Sequence, residues 1–90
     1  MPVVADGSPL AFPCDFPIKV MGRKEPRFAQ TVMEIVLKYA PDFDPATMEM
    51  RPSRQGRYLS LTCIVRATSR DQLDALYREL CDHPSVVMVL

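Results

Sequence analysis

The fold is decided by residues 57–81, which read RYLSLTCIVRATSRDQLDALYRELC. Over residues 57–67 apolar side chains alternate with mainly polar ones, which is the period of a strand with one buried face. Ser69 and Gln72 then match a capping box, with Ser at the N-cap and Gln at the third helical position. Leucines at helical spacing continue to about Cys81. The stretch therefore predicts a long strand followed directly by an amphipathic helix.

The flanking sequence supplies the remaining elements. Residues 16–22 show strand period and end at a glycine. Residues 26–39 carry apolar side chains at helical spacing after an initial proline. Residues 47–53 and 86–90 again have the pattern of strands. The resulting order, β-α-β-β-α-β, predicts an α+β fold, a ferredoxin-like sandwich whose four-stranded antiparallel sheet has the order 4-1-3-2 and carries two helices on one face.

Length and composition limit the classes of protein to consider. At 90 residues and 48% hydrophobic composition, the chain fits one folded domain. We expect this domain over residues 16–90, after a flexible N-terminal tail over residues 1–15. Eleven basic residues balance eleven acidic ones, so nucleic acid is not an expected partner. The sequence shows no membrane-length apolar run and no signal-peptide pattern, so we expect a cytoplasmic protein without a membrane partner.

The residues that most often carry chemistry have simpler expected roles. Cys14, Cys63 and Cys81 form no C-x-x-C pair and accompany a single His, so we expect reduced thiols, no metal and no cofactor. Cys63 falls on the inward face of its strand and should be buried and inert. His83 precedes Pro84 at a helix end, where a protonated ring interacts well with the helix dipole. Without a recognisable nucleophile and base, the chain is not expected to be an enzyme. Four methionines are expected to fill the core: Met33, Met48, Met50 and Met88.

Short landmarks follow one another along the chain from about Phe12 to Leu90. They are Phe16-Pro17-x-Lys19-Val20-Met21-Gly22, Ala40-Pro41, Pro52-Ser53-x-x-Gly56-x-Tyr58-x-Ser60, Ala67-Thr68, Leu76-Tyr77-x-x-Leu80 and Met88-Val89-Leu90. In this order and spacing they resemble the small bacterial YbeD-like proteins, an uncharacterised family. The resemblance implies a ferredoxin-like fold similar to ACT-type regulatory domains, which bind small ligands and pair through their sheets. It also implies a link of some members to the regulation of lipoate metabolism, and it brings no catalytic residue set.

Basic residues gather at one end of the predicted sheet. The loop before helix 1, the turn between strands 2 and 3 and the end of helix 2 all meet there, and the unpaired N–H groups at the start of helix 1 favour an anion. The candidate ligand-binding residues are Arg23, Lys24, Arg54, Arg57 and His83. They predict a non-enzymatic regulatory module that binds a small anionic metabolite. The alternative is that these are solvated loop charges that keep a small protein soluble.

The open face of the sheet is a second candidate surface. The residues expected to point outward there are Lys19, Met21, Tyr58, Ser60, Thr62, Ile64 and Arg66, with Val87 or Val89 beside them. The apolar members of this set favour a protein partner. This surface therefore predicts, as the alternative function, a protein-interaction adaptor or a homodimer through the face. An RNA-binding sheet needs several exposed aromatic residues, and Tyr58 alone does not meet that need.

Overall fold

Four strands and two helices are distributed over residues 11–90, the part of the chain that this computed structural model describes. The elements are β1 (Cys14–Arg23), α1 (Phe28–Tyr39), β2 (Glu49–Pro52), β3 (Tyr58–Ala67), α2 (Arg70–Asp82) and β4 (Val86–Val89). The strands form one sheet in the order β2-β3-β1-β4, with every neighbouring pair antiparallel. The predicted ferredoxin-like fold is confirmed. The tail expected over residues 1–15 stays a prediction, because residues 1–10 lie outside the described part. No helix within residues 11–90 is both long and apolar enough to cross a membrane.

The central ladder of the sheet joins β1 and β3, from Cys14 opposite Ala67 to Arg23 opposite Tyr58. β1 therefore begins two residues earlier than the predicted start at residue 16, and it continues one residue past Gly22. The sequence pattern missed the early start because the first residues of β1 carry no clear alternation. Their place in the strand is fixed by the partner strand, and local sequence does not show a partner.

Pro17 lies inside this ladder, opposite Ile64, although a proline near the start of a strand predicts late or missing pairing. Lys19 exchanges both backbone hydrogen bonds with Leu90, at 3.1 and 2.8 Å. Alternate residues of β1 thus direct their backbone groups toward β4, and Pro17 is the next such residue. Its nitrogen faces the side beyond Leu90, so the absent N–H removes no ladder bond.

The core lies between the helices and the inner face of the sheet. Its fully buried members are Ile18, Val20, Leu61, Cys63, Val65 and Ala67 from the strands, and Val32, Val36, Leu76 and Leu80 from the helices. Cys63 is buried as predicted, and its burial raises the pKa of the thiol to about 11. This thiol therefore stays protonated near neutral pH and is a packing residue.

Gly22 allows a close approach of three elements. A Cβ at this position would overlap the ring of Phe28 and the backbone carbonyl of Ser85. The predicted end of the strand at Gly22 is wrong by one residue, since β1 runs on to Arg23, and the glycine is needed for packing. Gly56, in contrast, sits in open space with φ +73° in the turn before β3, a backbone conformation that favours glycine.

The two helices have different hydrogen bonds at their N-termini. α1 starts at Phe28, two residues after the predicted start, and the N–H of Phe28 is bonded to the carbonyl of Glu25 at 3.1 Å. α2 has the predicted N-cap, because the Ser69 hydroxyl accepts the N–H of Gln72 at 3.1 Å. The Gln72 side chain reaches back one residue further than a standard capping box and accepts the N–H of Thr68 at 2.6 Å.

Polar contacts hold α1 against α2. The Gln72 amide donates to the carbonyl of Tyr39 at 2.7 Å. The Glu79 carboxylate accepts the Tyr39 hydroxyl and the Lys38 ammonium, the latter at 2.9 Å. These hydrogen bonds lower the pKa of Glu79 below its usual range, and the bond from Tyr39 has the largest effect. The two helices are thereby fixed relative to each other, and within residues 11–90 the opposite sheet face keeps exposed residues such as Ile64.

Two of the four methionines expected in the core lie on the surface. Met33 and Met48 pack against the core, whereas Met50 is 58% exposed and Met88 47% exposed. The prediction is wrong for Met50 and Met88 because both belong to edge strands, where a neighbouring strand covers one side only. Met88 also pairs with Met21, in the regular part of the β1–β4 ladder.

Candidate functional site

The open sheet face carries the predicted interaction residues side by side. Met21 pairs with Ser60, and Lys19 pairs with Thr62. Their strand neighbours are buried in the core, so by alternation these side chains point away from the helices. β4 adds Met88 here, with Leu90 opposite Lys19, whereas Val89 is opposite Val20 and packs on the core. Val87, the other valine expected beside this face, is 54% exposed at the register shift between β1 and β4.

A depression of about 240 Å³ lies on this face between β1, β3 and β2. It is lined by Lys19, Met21, Arg51, Pro52, Ser53, Tyr58 and Ser60. The two cationic side chains and the hydroxyl groups offer hydrogen-bond donors. Met21, Pro52 and the Tyr58 ring offer apolar surface. The depression therefore combines donors for an anionic group with a wall for an apolar one.

The hairpin between β2 and β3 holds one wall of this depression in place. The N–H of Ser53 is bonded to the carbonyl of Tyr58 at 2.9 Å, and the Ser53 hydroxyl accepts the N–H of Tyr58 at 3.1 Å. Gly56 closes the turn between them. Sequence reasoning did not place Arg51 or Ser53 in the interaction face, although the alternation of Glu49 and Arg51 along β2 was a usable signal.

A second depression, of about 420 Å³, continues the first toward the edge of the sheet. It is lined by Lys19, Glu49, Met50, Arg51, Ser60 and Thr62. Lys19, Arg51 and Ser60 belong to both depressions. Within residues 11–90 the ion pairs are Lys38–Glu79 and Arg66–Asp15, so neither shared cation has a carboxylate partner among the described residues. Both are therefore available to an anionic ligand.

The loops predicted to form a basic end do meet in the structure. The N–H of Lys24 is bonded to the carbonyl of Arg57, and the N–H of Arg23 to the carbonyl of Ser85, both at 3.0 Å. Arg23, Lys24, Arg54 and Arg57 are exposed. Arg23 stands opposite Tyr58 at the rim of the open face. Whether these residues bind a ligand stays a prediction.

His83 and Ser85 have structural partners at this end. His83 is the C-cap of α2, and its Nδ1 accepts the N–H of Ser85 at 3.1 Å. His83 thus lies at the helix end where the sequence places it, with its ring bonded to the backbone two residues further on. The Ser85 hydroxyl donates to Glu25 at 2.7 Å. Sequence reasoning missed Ser85, because nothing in a loop serine indicates contacts with residues far along the chain.

Comparisons with known proteins agree on the family and the fold. The family described as "Protein of unknown function (DUF493)" matches residues 8–90. A UPF0250 protein of Nitrosomonas europaea is 56% identical over 97% of this chain and 100% of its own length. One of Bordetella pertussis is 62% identical over 90% of this chain and 89% of its own length.

Two solved structures share the fold at low sequence identity. A Helicobacter pylori protein solved in solution covers all of this chain and 94% of its own, with a TM-score of 0.76 at 15% identity. The ACT domain of a GTP pyrophosphokinase of Chlorobium tepidum covers 86% of this chain and 97% of its own, with a TM-score of 0.62 at 15% identity.

Proposed function

We propose that this chain, which belongs to the DUF493 family of proteins of unknown function, is a non-catalytic regulatory module that binds a small anionic metabolite. The family membership confirms the YbeD-like resemblance. The observation that carries the proposal is the depression on the open sheet face, where Lys19 and Arg51 flank an apolar wall formed by Met21, Pro52 and Tyr58. The proposed site thus lies on the open face, and Arg23 at its rim connects it with the basic loop end.

The composition of the depression favours a ligand with an anionic head and a short apolar part. A guanidinium such as that of Arg51 binds a carboxylate or phosphate through two parallel hydrogen bonds. Each exposed charge pair contributes only about 0–1 kcal/mol, so two cations alone bind weakly. Apolar surface buried against Met21 and Tyr58 adds roughly 25 cal/mol per Å². We therefore expect a dissociation constant of about 10 μM to 1 mM, with the apolar part contributing most of the selectivity.

The regulatory part of the proposal rests on likeness to the ACT domain, which is an analogy of fold. The non-catalytic part rests on the residues that could have carried chemistry. Cys63 is buried with a raised pKa, and His83 is held by the backbone of Ser85. Both side chains therefore have structural roles, which favours a binding function over a catalytic one.

Thermal unfolding with candidate ligands tests the proposal. Lipoate, hexanoate and inorganic phosphate are compared at about 1–10 mM, because a ligand that binds the folded state raises the unfolding temperature. We expect lipoate or hexanoate to stabilise more than phosphate does. Arg51→Gln should remove the ligand-dependent shift, and Arg78→Gln on α2 is the matched control that should retain it. A panel without stabilisation, or equal shifts in both variants, would contradict the proposal.

An alternative function, a protein-interaction adaptor, is supported by exposed apolar residues on the same face. Tyr58 is 41% exposed and Ile64 43% exposed, and Met88 and Leu90 extend the apolar surface along β4. Affinity capture from the native cell with Ile64→Asp and Arg78→Asp as paired baits tests this alternative. A partner lost with Ile64→Asp alone supports it, and identical partners with both baits exclude the sheet face as the contact.

A further inference from the structure

The balanced total charge of the chain conceals a separation of charge within the fold. Residues 51–69, from β2 through β3 to the residue before α2, contain four arginines and no acidic residue. Helix α2, which packs on the inner side of the sheet, contains four acidic residues and two basic ones. The sheet with its turn is therefore cationic, whereas α2 is anionic. Such a field steers an anionic partner toward the sheet.

Several cations of the sheet and its loops have no carboxylate partner among residues 11–90. They are all exposed: Lys19, Arg23, Lys24, Arg51, Arg54 and Arg57. The two ion pairs within the same residues belong to other cations. Glu25, the acidic residue that follows Lys24, instead accepts a hydrogen bond from the Ser85 hydroxyl at 2.7 Å. These cations are therefore open to an anionic partner.

Two of these cations lie in line on β1 with an apolar residue between them. Lys19, Met21 and Arg23 all point outward, because the residues that separate them are buried. These three residues form the β1 row. At roughly 3.3 Å per residue, Lys19 and Arg23 are about 13 Å apart along the strand. Tyr58 is opposite Arg23, and Ser60 is opposite Met21, so Met21 and the Tyr58 ring supply apolar surface beside the two cations.

An extended peptide has the spacing that the β1 row requires. In an extended chain the side chains of every second residue point to one side, at intervals of about 6.6–7 Å. A segment with the pattern acidic–x–apolar–x–acidic therefore brings carboxylates to Lys19 and Arg23, while its apolar residue lies on Met21 and the Tyr58 ring. We propose that the β1 row binds such an acidic, extended segment of a partner protein. A small monocarboxylate cannot contact both cations, because it carries one anionic group and they are about 13 Å apart.

The β1 row is less suited to single-stranded nucleic acid, the other extended polyanion. Proteins that bind this class stack successive bases on several aromatic side chains. Among the exposed large hydrophobic residues of the described part, Tyr58 is the aromatic one. Met21, between the two cations, offers a contact to an apolar side chain and none to a phosphate. The row therefore favours a peptide.

The inference rests on the alternative function, a protein-interaction adaptor, and names the chemistry of its partner. Ile64, the residue that tests the alternative, pairs with Pro17, which lies beyond Lys19 on the side away from Arg23. Loss of partners with Ile64→Asp and binding of a peptide at the β1 row are thus separate measurements. Failure of the peptide test would leave the Ile64 test and the hexanoate titration standing.

Fluorescence anisotropy with a labelled synthetic peptide, GESLSEG, tests the inference over protein concentrations up to about 1 mM. Because exposed charge pairs are weak, we expect a dissociation constant of about 0.1 mM at low ionic strength. The peptide GEESLSG has the same composition without the alternating spacing and should bind at least about fivefold more weakly. The peptide GKSLSKG, with both charges reversed, should not bind. An increase in salt from about 50 to 300 mM should weaken binding of GESLSEG at least about threefold.

Exchange of one charge pair between protein and peptide locates the contact. Arg23→Glu replaces an attraction by a repulsion and should weaken binding of GESLSEG about tenfold. Arg78→Glu, an equal change of charge on α2, should leave it unchanged. One of the two peptides GKSLSEG and GESLSKG should bind Arg23→Glu about as well as GESLSEG binds the wild type, and which one does so gives the direction of the peptide. This recovery cannot arise if the substitution merely damages the fold.

Four results would overturn the proposal. They are no binding of GESLSEG by the wild type at about 1 mM protein, equal affinity for GESLSEG and GEESLSG, no recovery with either half-reversed peptide, and tighter binding of labelled decauridylate than of GESLSEG. The last result would assign the cationic surface to nucleic acid.

Discussion

The inner and outer faces of the sheet are built from the same strands, yet they differ in nearly every physical property. Along β3 the inner residues Leu61, Cys63 and Val65 are fully buried, whereas Ile64 and Tyr58 on the outer face are exposed. The inner face is covered by two helices that are bonded to each other through Gln72 and Glu79. The difference indicates that the inner face determines stability, whereas the outer face stays accessible to solvent within residues 11–90.

Truncation of one aliphatic side chain on each face of β3 should give the largest difference in the free energy of unfolding. Leu61→Ala opens a cavity in a fully buried site and should lower the free energy of unfolding by about 2–5 kcal/mol. Ile64→Ala, three residues along the same strand, should cost less than about 1 kcal/mol because the side chain is already half in water. Urea unfolding at neutral pH measures both values. Equal losses would mean that Ile64 is covered in the folded protein and that the outer face is not open.

Substitution of Gly22 and Gly56 compares the stability cost of an added Cβ in the packed layer with its cost in an exposed turn. Gly22→Ala introduces a Cβ against the Phe28 ring and a backbone carbonyl of the inner layer, and should cost about 1–3 kcal/mol or more. Gly56→Ala faces open space at φ +73° and should cost only about 1–2 kcal/mol for the left-handed conformation. The same urea series compares them. A harmless Gly22→Ala would show that the close approach of β1, α1 and β4 is absent in solution.

Alkaline pH tests the burial of the inner face through Cys63. The folded-state pKa of this thiol is raised from 9.0 to about 11. Between these values the unfolded chain releases the proton and the folded chain retains it, so stability should fall as pH rises through the window, by up to about 2 kcal/mol. Unfolding free energies from pH 8 to about 11, compared with those of Cys63→Ala, isolate this contribution. Parallel curves for the two proteins would mean that the thiol is not desolvated.

The inner face was largely predictable from sequence, and the outer surface much less so. Strict alternation identified Leu61, Cys63 and Val65 as inward residues because burial imposes a two-residue period on a central strand. Met50 and Met88 were misplaced although the predicted order 4-1-3-2 already put both strands at the edges, because the pattern of a short strand does not show how much of each side chain its neighbours cover. The register shift between β1 and β4 at Met21 and Gly22 also has no sequence signature here.

The candidate site was predictable only in part for the same reason. Lys19, Met21, Tyr58 and Ser60 follow from the alternation of β1 and β3. Their neighbour Arg51 joins them only once the pairing of β2 with β3 is known. A contact between distant segments, such as that of Ser85 with Glu25, lies outside what a linear pattern can show.

The most direct test of the central claim is an amide NMR titration of the protein with hexanoate, with acetate as the control that lacks most of the apolar part. The account predicts chemical-shift changes that cluster at Lys19, Arg51, Tyr58 and Ser60, saturate with hexanoate at about millimolar concentration, and are much weaker with acetate. Changes confined to the start of α1 and the loop at Lys24, or equal responses to the two carboxylates, would contradict a binding site on the open sheet face.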